Sequence, residues 1–164
     1  VDRIFFDIST HNLAQNVPSD VVETIINIAL EIAREGREGR KIGTAFIIGD
    51  RAEISKYIRQ LIINPFAGYS DQSRKITDPL IRETIKEFAQ LDGAFVIDNS
   101  GTIITTGAYI DIEAKEVDLP PGFGTRHRNC AALTKETNAI AVVVSESGGI
   151  VRVFKEGRIT MKLP

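Results

Sequence analysis

The order of helix-forming and strand-forming segments is the feature that most constrains the fold of this chain. Apolar residues recur at helical spacing from Asp20 and stop at Gly36, and a short continuous apolar run follows at residues 44–48. A short apolar run bounded by glycines indicates a strand that is buried on both faces of a sheet. Asp20 with Glu23 three residues later is typical of a capping box at the start of the helix.

The middle of the chain predicts two more helices separated by a loop. Residues 51–63 are expected to be helical, and residues 64–73, which are rich in turn formers, are expected to form the loop. Asp78 followed by Pro79 is typical of the start of another helix, which we expect to end near Gln90. The residues expected on the buried side of that helix are Leu80, Ile81, Ile85, Phe88 and Ala89.

The last part of the chain predicts hairpins around one further helix. The segment Asp98-Asn99-Ser100-Gly101 is typical of a hairpin turn, and a helix is expected to begin within residues 126–129 and to end at about residue 138. The strands expected in this part are residues 95–97, 102–109, 139–144, 150–154 and 158–162. We therefore predict a mixed α/β fold in which helices flank a central mixed β-sheet.

The length of 164 residues fits one domain with an apolar core of its own. We expect a motif-bearing core at about residues 20–162 and an N-terminal extension at residues 1–19, whose apolar patch at residues 4–6 predicts a short strand. The first residue is Val1 rather than Met, which is compatible with a piece of a longer protein.

Charge and cysteine content narrow the partners and the compartment. The formal net charge of -2 gives no general attraction to nucleic acid or to an anionic membrane, and no apolar run approaches the roughly 20 residues that cross a bilayer. The single cysteine, Cys130, excludes an internal disulfide framework. We therefore expect a cytoplasmic chain that binds no nucleic acid and contains no membrane segment.

The segment Asp92-Gly93-Ala94 lies where a predicted helix leads into a strand. A carboxylate at a strand edge is a suitable oxygen ligand for Mg²⁺ or Mn²⁺, and glycine lets a ligand approach the backbone closely. An ordinary Asp-Gly turn explains the segment equally simply and, taken alone, is the commoner explanation.

The segment Gly124-Thr125-Arg126-His127-Arg128 clusters two arginines, a histidine and a hydroxyl where a helix is expected to begin. Free N–H groups and the helix dipole favour an anion at that place, and arginine adds bidentate donors for phosphate oxygens. The alternative is a solvated basic helix start, but basic residues there oppose the dipole. A bound phosphate group offsets that cost, so we favour a phosphate site.

Two further features are open to more than one interpretation. Residues 142–149 bring Ser145 and Glu146 to the end of a buried strand, where α/β sheets place their ligands; a polar hairpin turn explains them equally well. Cys130 is expected to be a small buried residue, although its place near a helix start is also compatible with an activated thiol.

With these segments the chain resembles the diadenylate cyclase (DAC, or DisA_N) domain family over about residues 20–162. The resemblance implies the DAC-domain fold and the condensation of two ATP molecules into 3′,5′-cyclic di-AMP with release of two pyrophosphates. It further implies a divalent metal, Mn²⁺ or Mg²⁺, and a homo-oligomer in which two subunits meet face to face, each holding one ATP.

The same resemblance implies roles for individual residues. Asp92 is expected to bind the metal and to help activate the ribose 3′-hydroxyl. The other residues expected to be catalytic are Arg126, His127 and Arg128. Together with Thr125 they are expected to form the triphosphate site, and Ser145 is expected to make a further phosphate contact. The remaining nucleotide contacts are expected from Gly93, Ala94, Tyr109, Ile110, Gly124, Thr125, Ser145 and Glu146, with Tyr109 and Ile110 lining the adenine pocket.

The chain departs from the family pattern at two places. Many membrane-anchored members carry histidine at the position of Leu91 and a second glutamate at the position of Ser147. The identity of any second metal ligand is therefore open, and Glu146 is the candidate. The same departures motivate one alternative, a non-catalytic nucleotide-binding sensor. A second alternative is an interaction domain whose basic cluster docks an acidic partner.

Overall fold

A seven-stranded mixed sheet covered by helices on both faces forms the core of the computed structural model, which describes residues 16–113 and 117–164. The mixed α/β fold predicted from the sequence is confirmed. The strand predicted at residues 4–6 lies outside the described residues. The helices are α1 (Ser19–Glu35), α2 (Arg51–Ser55), α3 (Arg82–Phe88) and α4 (Thr125–Glu136). The strands are β1 (Thr44–Ile48), β2 (Ile58–Gln60), β3 (Ala94–Ile97), β4 (Ile103–Ile110), β5 (Ile140–Val144), β6 (Val151–Lys155) and β7 (Arg158–Leu163).

The strand order, β2-β4-β3-β1-β5-β6-β7, determines which strand ends lie next to each other. β1 and β3 are parallel, whereas β1 with β5 and β3 with β4 are antiparallel. The first residues of β1 and β3 therefore lie at the same edge of the sheet as the last residues of β4 and β5. Thr44 pairs with Val144, and Ala94 pairs with Ala108. We call this the cleft edge.

The apolar runs alternate between two packed layers. Phe46 of β1 and Phe95 of β3 stack with ring centroids 4.9 Å apart, on the sheet face that packs against α1 and α3. Ala45 and Ile47 of β1 point to the other face, where they pack in one cluster with Cys130 and its neighbours on α4. Every residue of β1 is buried, as its unbroken apolar run predicted, because helices cover both faces.

The predicted helix over residues 51–63 was wrong in its second half. α2 ends at Ser55, and Ile58–Gln60 form β2, which pairs antiparallel with β4 through Ile58 and Ile110 and through Arg59 and Tyr109. A short segment takes a strand conformation readily when it can complete the hydrogen bonds of an open edge strand. β4 offers such an edge, and this tertiary pairing overrides the local helical preference.

Two other local predictions need correction, although the helices themselves form. Helix α1 begins at Ser19 with Pro18 in the capping position and no side-chain cap, so the capping box predicted at Asp20 is wrong. Asp20 lies inside the first turn, where its charge still favours the helix dipole. Asp78 does cap its helix through Leu80 N–H, but the first turn is a 3₁₀ turn. That turn leaves Leu80 88% exposed rather than buried.

None of the helices in the described parts of the chain combines the length and the apolar character that a membrane crossing requires.

Candidate active site

The cleft edge gathers residues that are far apart in the sequence. Asp92 and Gly93 precede β3, and Glu146 follows β5. Tyr109 and Ile110 end β4, and the first turn of α4 packs beside them. Two adjoining clefts open here, and most of the site residues predicted from the sequence line one or both.

The smaller cleft has a volume of about 150 Å³. Six predicted residues line it: Gly93, Ala94, Tyr109, Ile110, Thr125 and Arg126. Three residues that sequence reasoning missed complete it: Ala45, Ala108 and Asn129. Asn129 Nδ2 donates a hydrogen bond to the carbonyl oxygen of Ile110 at 3.3 Å, and this bond ties α4 to the end of β4. Small side chains along three strands leave the room that a flat ring needs.

The larger cleft has a volume of about 420 Å³ and is strongly charged. Asp92, Arg126 and Glu146 line it, and so do three cations from the connection between α1 and β1: Arg37, Arg40 and Lys41. Arg126 therefore belongs to both clefts. A single elongated ligand can pass from one cleft to the other along this side chain.

Gly43, immediately before β1, makes room for the central arginine. A Cβ atom at Gly43 would lie 2.5 Å from Arg126 Nη1 and 3.0 Å from Glu146 Cβ. Only glycine leaves the guanidinium its observed position. In the sequence Gly43 is visible merely as a glycine flanking a strand, so its link to Arg126 could not be predicted.

The start of α4 lacks the groups that normally satisfy a helix N-terminus. The cap residue is Gly124, which offers no side chain, and the first turn contains no acidic residue. Its free N–H groups and the adjacent Arg126 favour an anion. Arg128 lines neither cleft; its Nε donates to the carbonyl oxygen of Phe123 at 3.2 Å, which holds the loop before the helix. Gly124 also lines neither cleft.

His127 lies beneath the site rather than in it. It is 8% exposed and packs between the rings of Phe123 and Phe154, at centroid distances of 5.2 and 6.1 Å. Its Nε2 is buried and has no hydrogen-bond partner among the described residues. Burial, followed by the charges of Arg152 and Arg126, lowers the pKa of His127 from 6.5 to about 4. The imidazole is therefore neutral at pH 7 and adds no positive charge to the site.

This burial predicts a pH-dependent stability. A folded-state pKa below the unfolded value means that the unfolded chain binds the proton more tightly than the folded chain does. The stability that the neutral, buried His127 contributes is therefore intact above pH 6.5 and is lost as the pH falls towards 4. We expect the free energy of unfolding to fall between pH 7 and pH 4.5 by about 2 kcal/mol more in the wild type than in His127→Phe. Urea denaturation at the two pH values measures this difference. Equal decreases in the two proteins would contradict it.

The other predicted residues have simpler surroundings. Ser145 Oγ donates to the carbonyl oxygen of Ser147 at 3.0 Å, and Ser145 lines neither cleft. Burial raises the pKa of Cys130 to about 12. Cys130 is fully buried, so the prediction of a small core residue is confirmed and an activated thiol is excluded.

Asp92 and Glu146 are the candidate metal ligands in the larger cleft. The described residues contain no group of three or more histidine, cysteine, aspartate or glutamate side chains that could hold a metal. Two carboxylates nevertheless fit a hard cation such as Mg²⁺, which commonly takes one or two carboxylates from the protein and its other ligands from phosphate oxygens and water.

The sequence of this chain matches a known family model and several curated proteins over most of its length. The family model described as "DisA bacterial checkpoint controller nucleotide-binding" (DAC) matches residues 31–159. A protein of Methanocaldococcus jannaschii named diadenylate cyclase is 45% identical over 141 residues, which cover 86% of this chain and 44% of that protein. A diadenylate cyclase of Haloferax volcanii is 38% identical over 143 residues, or 87% of this chain and 52% of that protein. The chain thus spans about half the length of these curated relatives.

A solved structure supports the fold at lower sequence identity. The crystal structure of a double mutant of DacA from Staphylococcus aureus superposes with a TM-score of 0.61 at 18% identity. The match covers 88% of this chain and 87% of that one. At this identity the likeness concerns the fold alone.

Proposed function

The chain belongs to the diadenylate cyclase (DAC) domain family, and on that premise we propose that it condenses two ATP molecules into cyclic di-AMP and releases two pyrophosphates. We place the reaction in the cytoplasm, because the proposed substrate is ATP and a single cysteine suits a reducing compartment. The domain that does this is the whole sheet with its covering helices.

The observation that carries the proposal is the position of Arg126 in both clefts. We assign the adenine and ribose to the smaller cleft, where Tyr109 and Ile110 line the wall. The phosphates then extend past Arg126 into the larger cleft, whose charged side chains suit them. Free N–H groups at the start of α4 support the same assignment.

Asp92 is assigned to the attacking hydroxyl. It is exposed at the rim of the larger cleft, immediately before the glycine that enters the smaller one. Asp92 and Glu146 would hold Mg²⁺ or Mn²⁺, and that ion when bound lowers the pKa of a hydroxyl and neutralises phosphate charge. Asp92 orients the ribose 3′-hydroxyl of the bound ATP and draws off its proton as the hydroxyl attacks.

The 3′-oxygen forms a bond to the α-phosphorus of the second ATP, and the bond from that phosphorus to the bridging oxygen of the β-phosphate breaks. Pyrophosphate leaves with the electron pair, and Arg126 stabilises the charge that develops on it. Since this chemistry needs little covalent help from the protein, positioning and charge are the contributions required of these residues.

Cyclisation requires two such sites to face each other. Each subunit holds one hydroxyl and one α-phosphate, and both must reach their counterparts in a second copy. Asp92, Thr125 and Glu146 are all exposed at the cleft edge, as a site shared between subunits requires. A two-fold pair meets this need, because each copy then supplies the same groups to the other.

Incubation with ATP and Mg²⁺ or Mn²⁺ tests the proposal. We expect chromatography to show cyclic di-AMP and pyrophosphate in a ratio of one to two. Tight ATP binding without product under either metal would instead support the sensor, the alternative that Leu91 and Ser147 motivate. Absence of any ATP-induced thermal shift would favour the interaction domain.

Gly43→Ala is expected to lower ATP affinity about tenfold with a change in unfolding free energy below about 1 kcal/mol. The added methyl group meets the end of the flexible Arg126 side chain at 2.5 Å and displaces its guanidinium, whereas its contacts with Glu146 at 3.0 and 3.2 Å require a shift of only a few tenths of an ångström. Calorimetry of ATP binding and urea denaturation measure the two quantities. In an Arg126→Gln background the same substitution is expected to change affinity little, because the displaced group is already absent. Full additivity of the two substitutions would show that Gly43 acts by another route.

A further inference from the structure

The connection between α1 and β1 forms a compact basic turn, residues 36–41, at the wall of the larger cleft. Arg37 N–H donates to the carbonyl oxygen of Arg40 at 2.9 Å, and Arg40 N–H donates to that of Arg37 at 3.0 Å. A Cβ atom at Gly36 would overlap the carbonyl oxygen of Arg40, and Gly36 has a φ of +62°. The turn is therefore closed by its own backbone.

Salt bridges to a neighbouring helix hold the basic turn in place. The guanidinium of Arg37 pairs with Glu87 at 3.0 Å and with Glu83 at 3.3 Å, both on α3. The hydrogen bond that Arg37 Nε donates to the Glu87 carboxylate is the largest cause of the raised pKa of Arg37. Arg37 is thus committed to anchoring the turn, and its charge is balanced there.

Arg40 and Lys41 differ from Arg37 both in their anchoring and in the balance of their charge. Both are exposed, and neither side chain makes an ion pair or a side-chain hydrogen bond within residues 16–113 and 117–164. Both line the larger cleft together with Asp92, Arg126 and Glu146. They also line a neighbouring cleft of about 500 Å³ that is bounded by Arg34, Gly148 and Gly149. These two unpaired cations therefore stand between the proposed phosphate site and a second opening.

A solvated surface turn is the simplest alternative explanation of such a basic run. It does not account for the charge of the cleft. Arg40, Lys41 and Arg126 line it as three cations without an ion pair in the described part of the chain, whereas the acids that line it are Asp92 and Glu146. The cleft therefore keeps an excess of positive charge that a bound anion would balance. Within the predicted Gly124–Arg128 segment, Arg126 lines the larger cleft, Arg128 donates a hydrogen bond to the carbonyl oxygen of Phe123, and His127 is neutral at pH 7. The far end of a triphosphate there needs more positive charge than Arg126 provides.

We propose that Arg40 and Lys41 bind the β- and γ-phosphates of ATP and hold the pyrophosphate as it leaves towards the neighbouring cleft. The identity of the ligand rests on the proposed function. The roles differ within the turn: Arg37 positions it, and Arg40 with Lys41 contacts the phosphates.

The test compares Arg40→Gln/Lys41→Gln with Arg158→Gln/Lys162→Gln. The control removes the same charge from exposed residues of β7 that line neither the larger nor the neighbouring cleft. The probes are 3′-deoxyATP, which binds without turnover because it lacks the attacking hydroxyl, and 3′-deoxyAMP, which lacks the β- and γ-phosphates. Calorimetry in Mg²⁺ gives their affinities, and thermal unfolding confirms that each variant is folded.

We expect the Arg40/Lys41 variant to lose about tenfold or more in affinity for 3′-deoxyATP and to bind 3′-deoxyAMP as the wild type does. The Arg158/Lys162 control should retain both affinities. The proposal is overturned if 3′-deoxyATP binding is unchanged, if both probes weaken equally, or if the control loses as much.

Failure of the proposed function gives a different result. A wild type that binds 3′-deoxyATP but forms no cyclic di-AMP from ATP would contradict the proposed cyclase activity. The role of Arg40 and Lys41 in phosphate binding would still be decided by the affinities of their variant for 3′-deoxyATP and 3′-deoxyAMP. A wild type that binds neither probe would contradict both.

Discussion

Asp92→Asn is expected to lower the rate of cyclic di-AMP formation by at least about 100-fold. Asparagine keeps the size of the side chain but removes the charge that would hold a cation and the basic oxygen that accepts the hydroxyl proton. Asp92 is exposed and makes no side-chain hydrogen bond or ion pair in the described part of the chain. The substitution should therefore leave the unfolding free energy within about 0.5 kcal/mol of the wild type.

Product formation, ATP affinity and thermal unfolding together test this expectation. Asp20→Asn is the matched control: it makes the same chemical change at an exposed residue in the first turn of α1, which lines neither cleft. We expect the control to retain full activity. Undiminished product from a folded Asp92→Asn protein would remove Asp92 from the mechanism, whereas lost activity with ATP affinity preserved would assign it to the chemical step rather than to binding.

Several residues of the site could be predicted because each lies beside a strong helical or strand pattern in the sequence. Asp92 stands between a helical pattern and an apolar strand, and Glu146 closely follows another apolar run. Their meeting depends on strand order, which no local pattern contains. β1 is parallel to β3 and antiparallel to β5, and this brings the start of one strand beside the end of another.

Other properties of the site could not be predicted from the sequence, for physical reasons. Gly43 matters because Arg126 and Glu146 approach it from distant parts of the chain. Lys41 belongs to a connection that shows only polar character in the sequence. His127 stands within a basic motif, but its charge state is set by burial against Phe123 and Phe154. In each case the decisive property comes from tertiary neighbours.

Gly93→Ala is expected to destabilise the fold by about 2–5 kcal/mol. Gly93 has a φ of +99°, a conformation that L-residues with a side chain rarely adopt. A Cβ atom there would also lie 2.7 Å from the carbonyl carbon of Gly107 and 2.8 Å from the backbone nitrogen of Ala108. These are backbone atoms of β4, which cannot move without breaking the sheet. A loss of this size is a large part of the stability of an ordinary domain.

Gly122→Ala separates the two causes. Gly122 has a φ of +102°, nearly that of Gly93, but a Cβ atom at Gly122 would meet nothing within 4 Å. This control should therefore lower the unfolding free energy in urea denaturation by about 1–2 kcal/mol, the cost of the positive φ alone. Equal losses for the two variants would show that β4 yields to the added methyl group. A larger loss for Gly93→Ala would mean that the glycine after Asp92 is required by the close approach of β4, whether or not a nucleotide also contacts it. Inactivity of a Gly93 variant would then report a damaged fold, and the nucleotide contact must be tested at Asp92 and Arg126 instead.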